Sequence, residues 1–171
     1  EEAEKTLTDL SMVGIIRTEK SSVVYLCEIQ SALQKNNNEM FEMEVITMKI
    51  TSTPKAPNAV GPYSQAIAAN GFLFTSGQVG INPATSKIEG TTIAEQTEQV
   101  MQNLKAVLEA NGLDFSAAVK TTCFLANIAD FGAFNEVYGK YFTGKPARSC
   151  FAVKDLPMGA LVEVEVVAVM E

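Results

Sequence analysis

Leu161-Val162-Glu163-Val164-Glu165-Val166-Val167-Ala168-Val169 alternates apolar and acidic side chains over its central positions, and that alternation decides the class of fold. Successive side chains of an extended chain leave opposite faces, so Val162, Val164 and Val166 share one side and Glu163 and Glu165 the other. Such a strand needs cover on one face only. Upstream, Thr92-Ile93-Ala94-Glu95 has the spacing of a capping box. Ile93, Val100, Met101, Leu104, Val107 and Leu108 then keep a helical period up to the stop signal Asn111-Gly112. Ala118 to Ala126 reads as a strand, with Val119, Thr121, Cys123 and Leu125 on one face and Lys120, Thr122 and Phe124 on the other. A second helix starts at Asp130, carries Phe131, Phe134, Tyr138 and Tyr141 at spacings of three and four, and ends near Gly144. Lys49 to Ser52 predicts a short strand. Ser64 to Ala68 and Phe72 to Ser76 predict a hairpin turned at Asn70-Gly71. Arg148 to Val153 predicts a strand before the loop Leu156-Pro157-Met158-Gly159. The order β-β-β-α-β-α-β-β has too few helices to cover two faces, which gives an α+β fold with both helices on one face of a mixed sheet. The other face must meet solvent or a second subunit.

The chain divides near Lys49. All six prolines and ten of the eleven glycines follow it. Residues 1–47 hold nine acids and four bases, net −5, whereas 48–171 hold eleven acids and nine bases, net −2. Ser21 to Lys35 could form a helix, yet Val23-Val24-Tyr25-Leu26 suits a short strand equally well. Met48 reads like a fresh protein start. Residues 1–47 are therefore expected to be an N-terminal extension or leader, and 48–171 the functional domain.

Composition removes several chemistries at once. The sequence has no histidine, which excludes a Ser–His–Asp triad, a Cys–His pair and a His-ligated metal. Its net charge of −7 offers no basic field to a nucleic-acid backbone, so nucleic acid is not an expected partner. Cys27, Cys123 and Cys150 are odd in number and lack CxxC spacing, which points to a reducing, cytoplasmic setting. The Glu1-Glu2-Ala3-Glu4 start has the wrong sign for a signal peptide, and no apolar run is long enough for a membrane helix. A soluble protein is expected.

A few residues could carry chemistry. Arg148, in Lys145-Pro146-Ala147-Arg148-Ser149-Cys150, is the domain's only arginine beside eight lysines. A planar fork that grips a carboxylate requires arginine, whereas a surface ion pair does not; both readings stand. Glu163 and Glu165 could serve as a base or hold a water, or they could form the solvated face of a half-exposed strand. Cys150 has no histidine to activate it and reads better as a structural thiol. Tyr63 follows the constrained Gly61-Pro62 turn, where its hydroxyl can be aimed into a pocket. Thr75-Ser76-Gly77-Gln78 is a small-residue turn that a ligand could approach closely. The Phe131–Tyr141 aromatic stripe reads as core. No phosphate loop or metal-like acidic spacing occurs.

Gly61-Pro62-Tyr63-Ser64-Gln65-Ala66, Thr75-Ser76-Gly77-Gln78, Pro146-Ala147-Arg148-Ser149-Cys150 and Val162-Glu163-Val164-Glu165 together resemble the RidA family, also called YjgF, the enamine/imine deaminases. The resemblance runs from about Met48 to Met170. It implies a chorismate-mutase-like fold assembled as a homotrimeric barrel, with ligand sites between subunits. It also implies hydrolysis, without cofactor or metal, of 2-aminoacrylate-type enamines and 2-imino acids to 2-oxo acids and ammonia. These substrates are released by pyridoxal-phosphate-dependent dehydratases. By the same resemblance Arg148 binds the substrate carboxylate and Glu163 holds the attacking water or a substrate group. Tyr63, Ser76 and Asn135 line the pocket, Gly77 belongs to the Ser76 turn, and Cys150 contacts ligand through its backbone. Two alternatives are an endoribonuclease or translation inhibitor, and a non-catalytic trimer that binds 2-oxo acids.

Overall fold

The structure, a computed structural model, describes residues 15–17, 22–25 and 46–170. It divides into two units, 1–49 and 50–171. In the first, β1 (Ile15–Arg17) pairs antiparallel with β2 (Ser22–Tyr25), and β2 pairs antiparallel with the opening residues of β3 (Ile46–Thr51). The chain is thus extended at 22–25, as the β-branched reading of Val23 and Val24 required, and the rest of the possible helix at 21–35 lies outside the described residues. Cys27 lies outside them too.

The second unit holds a hairpin of β4 (Ala66–Ala69) and β5 (Phe72–Thr75), then the two-residue strands β6 (Gln78–Val79), β7 (Ile81–Asn82) and β8 (Lys87–Ile88). Helix α1 (Ile93–Glu109), β9 (Ala118–Leu125), α2 (Phe131–Tyr141), β10 (Ala147–Ala152) and β11 (Val162–Val169) follow. The strand order is β4-β5-β11-β9-β10, with β6 also on β11. Only β9 and β10 run parallel in it, so this is a mostly antiparallel α+β fold. The element order agrees with the reading from sequence except for β6, β7 and β8, which were not anticipated; two-residue strands are too short to show a period.

Local chemistry accounts for the elements. Asn70 and Gly71 both take positive φ, as a two-residue turn matched to strand twist requires. The Thr92 hydroxyl accepts the Glu95 N–H and the Glu95 carboxylate accepts the Thr92 N–H, so the capping box is present. Gly112 closes the helix end with positive φ, and its N–H bonds to the Glu109 carbonyl. α2 is shorter than expected, ending at Tyr141.

Burial follows the alternation of β11. Val162, Val164 and Val166 are fully buried under the helices, each contributing about 1.5–3 kcal/mol. Val100, Met101, Leu104, Val107 and Leu108 of α1 join them with Phe134 and Tyr138 of α2. Val119 departs from the expected buried row and is exposed, because the β9–β11 register slips beside it between Val167 and Ala168. On the opposite face Phe72, Phe74 and Phe151 remain 40%, 48% and 45% exposed. They share that face with Val167, Phe124, Glu163 and Glu165. Exposed aromatic side chains gathered on a sheet face are not an ordinary monomer surface.

Candidate active site

The residues singled out from sequence form two groups. The first gathers where the Gly61-Pro62-Tyr63 turn meets β6 and β11. The Tyr63 N–H bonds to the Gly61 carbonyl at 2.8 Å, closing a three-residue turn around Pro62, whose ring presets φ. The Tyr63 hydroxyl accepts the Val60 N–H at 3.2 Å, which leaves its own proton free to be donated. Ser76 is fixed by its Oγ, which donates to the Ser64 carbonyl at 2.6 Å, and by its N–H to the Gln65 carbonyl. Gly77 is glycine for a steric reason. A Cβ there would lie 2.6 Å from the Glu163 carboxyl carbon, so the Glu163 side chain occupies the place a larger residue would need. Tyr63 and Gly77 line a cavity of about 30 Å³, room for one or two waters.

Burial and the neighbouring Glu165 carboxylate push the Glu163 carboxyl above its ordinary value. No cation lies within ion-pair distance of it among the described residues.

The second group lies where β10 meets α2. The parallel register places Arg148 beside Thr121 and Cys150 beside Cys123 on the helix-covered face. Arg148 Nη1 donates to Asn135 Oδ1 at 2.7 Å. Among the described residues it makes no ion pair, so the reading of an ordinary surface salt bridge is set aside. Asn135, Tyr138, Lys145 and Arg148 border an open cleft of about 410 Å³. Cys150 is half-buried, and burial raises its thiol pKa although Arg148 pulls the other way. Burial drives Cys123 to about 12. Neither thiol has thiolate character near neutral pH, in keeping with structural roles.

Within one chain Tyr63, Ser76, Gly77 and Glu163 thus come together, and Asn135, Arg148 and Cys150 come together. Glu163 pairs with Phe124 on the open face, whereas Arg148 lies on the helix side, so the two groups do not meet.

Gln65 carries more than its place in a motif suggests. Its Oε1 accepts the Thr53 N–H at 2.6 Å, and its Nε2 is shared among the carbonyls of Thr53, Ala56 and Pro57. This buried amide holds the loop that leads to Tyr63. A glutamine between Ser64 and Ala66 gives no periodic signal of such a role. Among the described residues no three Cys, Asp or Glu side chains converge as a metal site would require, and no helix is long and apolar enough to cross a membrane.

The profile of the family described as Endoribonuclease L-PSP matches residues 53–170. The Reactive Intermediate Deaminase A, chloroplastic, of Arabidopsis thaliana is 47% identical over 126 residues, 73% of this chain and 67% of that protein. The 2-iminobutanoate/2-iminopropanoate deaminase of Mus musculus is 44% identical over 128 residues, 74% of this chain and 95% of that protein. Among solved structures, E. coli TdcF with bound serine superposes with a TM-score of 0.69 at 36% identity, covering 72% of this chain and 99% of that one.

Proposed function

Because the chain belongs to the Endoribonuclease L-PSP family, the RidA/YjgF group, we propose that it hydrolyses 2-imino acids and their 2-aminoacrylate-type enamine tautomers to 2-oxo acids and ammonia. The observation that carries this reading is the state of Arg148: held by neutral partners, free of any ion pair among the described residues, and open to a cleft. Such a guanidinium is ready to receive a small carboxylate through two parallel hydrogen bonds.

The chemistry needs little else. An imine carbon is already electrophilic, so orientation of the carboxylate and placement of one water supply most of the acceleration. Water adds to the imine carbon, the C=N π electrons move to nitrogen, and a proton follows them. Collapse of the resulting carbinolamine passes its hydroxyl proton to the amine nitrogen, forms the carbonyl, breaks the C–N bond and releases ammonia. Glu163 takes the proton from water and returns it to nitrogen, a duty suited to a carboxyl whose pKa is raised. Tyr63 offers its free O–H as a hydrogen-bond donor, Ser76, Gly77 and Asn135 shape the pocket, and Cys150 contributes backbone.

Arg148 and Glu163 face opposite sides of one sheet, which favours a site assembled from two copies. The exposed Phe72, Phe74 and Phe151 give the open face a reason to associate, and a homotrimer closed into a chorismate-mutase-like barrel fits both features. On this reading residues 1–47 are an N-terminal extension or leader to the catalytic domain, the protein is cytoplasmic, and pyridoxal-phosphate-dependent dehydratases supply the substrate. RNA cleavage is the weaker reading for a domain with one arginine, no histidine and net charge −2.

The test couples the protein to threonine and a threonine dehydratase, with semicarbazide competing for the imine. Faster 2-oxobutanoate release is expected. Arg148→Ala should lose on the order of 10³-fold in kcat/KM. Full activity in that variant would sink the proposal.

A further inference from the structure

The aromatic stripe of α2 does more than fill the core. The Arg148 Cζ lies 4.7 Å from the Tyr138 ring centroid, with the Phe131 and Phe134 rings at 5.5 and 5.9 Å. Tyr138 itself is fixed twice. Its hydroxyl is 2.9 Å from Thr121 Oγ1 in the buried sheet face, and Phe142 stacks on its ring at 4.4 Å with planes 23° apart. A ring has two faces, and two groups this close cannot share one. Phe142 therefore supports one face and the guanidinium rests against the other.

Such a bed does what an acidic partner could not. An Asp or Glu would orient Arg148 but also neutralise it and compete with the substrate carboxylate. A ring quadrupole and the Asn135 amide oxygen hold the guanidinium in place and leave its charge in full. With Nη1 engaged by Asn135, the Nη2 and Nε edge remains for a two-point grip. We propose that Tyr138 is a positioning residue for the reaction: it presents the Arg148 guanidinium, uncompensated and in a fixed plane, to the carboxylate of the substrate. This rests on the reading of Arg148 as the carboxylate grip, so the experiment separates the two.

The chain contains only two arginines, so its arginine Nε–Hε NMR spectrum holds two signals. The Arg148 proton is expected upfield of the free-arginine position, because it lies over a ring. Tyr138→Met should move it toward that position, with Phe131 and Phe134 still nearby, and weaken 2-oxobutanoate binding about tenfold, while Tyr138→Phe, which keeps the ring, recovers both. In an Arg148→Lys background, Tyr138→Met should change that affinity less than twofold, since the plane it served is gone. A purely structural Tyr138 would instead lower affinity equally in both backgrounds. Thermal unfolding is followed alongside. If Tyr138→Met does not fold, the wild-type shift and its partial loss in Thr121→Val decide the matter. An unshifted Arg148 signal in the wild type, or one unmoved by Tyr138→Met, overturns the inference. A shifted signal in a protein that binds no 2-oxobutanoate supports the platform and strikes the carboxylate reading instead.

Discussion

Arg148 and Glu163 occupy the two strands that flank β9 in one sheet, yet their surroundings are opposite in kind. Arg148 stands on the helix-covered side among rings and an amide oxygen, none of which cancels its charge. Glu163 stands on the open side, half-buried beside another carboxylate and wedged against Gly77, where burial and Glu165 raise its pKa above the ordinary value. Neither the cation nor the acid has a partner of opposite charge among the described residues. In the proposed reaction the first would bind an anion and the second exchange a proton, and the sheet between them keeps them apart within one chain. The difference teaches that the two groups lie on opposite faces of one sheet, and the proposed intersubunit site is what would bring them together.

The sharpest way to break that comparison is complementation. Arg148→Ala and Glu163→Gln should each be nearly inactive alone. Unfolded together and reassembled in equal amounts, three-quarters of random trimers would be mixed, each with one intact site of three, and about a quarter of wild-type activity should return. No recovery would place both residues in the site of a single chain. A smaller effect is expected from Gly77→Ala. The added methyl meets only the movable end of Glu163, so thermal stability should stay close to wild type while kcat/KM falls roughly tenfold to a hundredfold as the carboxyl is displaced. A loss of stability without a loss of rate would show that Glu163 is not held there for chemistry.

The smallest effect is on stability against pH. A carboxyl whose folded pKa is raised contributes stability that is fully present below its unfolded value and is lost as pH rises through the folded one. Its ordinary value is 4.5. In an Arg148→Ala background, which removes any cation supplied by a neighbouring copy, Glu163→Gln should therefore unfold at a higher temperature near pH 7. That gain should vanish toward pH 4. A gain independent of pH would assign the effect to packing rather than ionisation.

Much of the fold was legible in local pattern. The buried Val162, Val164 and Val166, the capping box at Thr92 and the turn at Asn70-Gly71 each depend on residues only a few positions apart, so composition and spacing reveal them. Strands β6, β7 and β8 were not legible, since a two-residue strand is defined by its partner. The buried amides of Asn103 and Gln96 help fix this region, Asn103 donating to the Val79 and Ile81 carbonyls and Gln96 accepting the Leu161 N–H. Arg148 could be singled out as the domain's lone arginine, whereas Tyr138 showed only as a buried position in a helical stripe. Periodicity reports that a ring is covered and is silent on what covers it.

By itself the sequence determined the class of fold, the motif set of the family and the absence of histidine chemistry. Only the tertiary structure decided that Glu163 and Arg148 face opposite sides of the sheet and that the guanidinium rests on Tyr138. Those relations follow from strand register, Arg148 beside Thr121 and Glu163 beside Phe124, which hydrogen bonds fix between segments distant in the chain. A shift of one residue in either pairing would reverse a face, and no local spacing records which register wins.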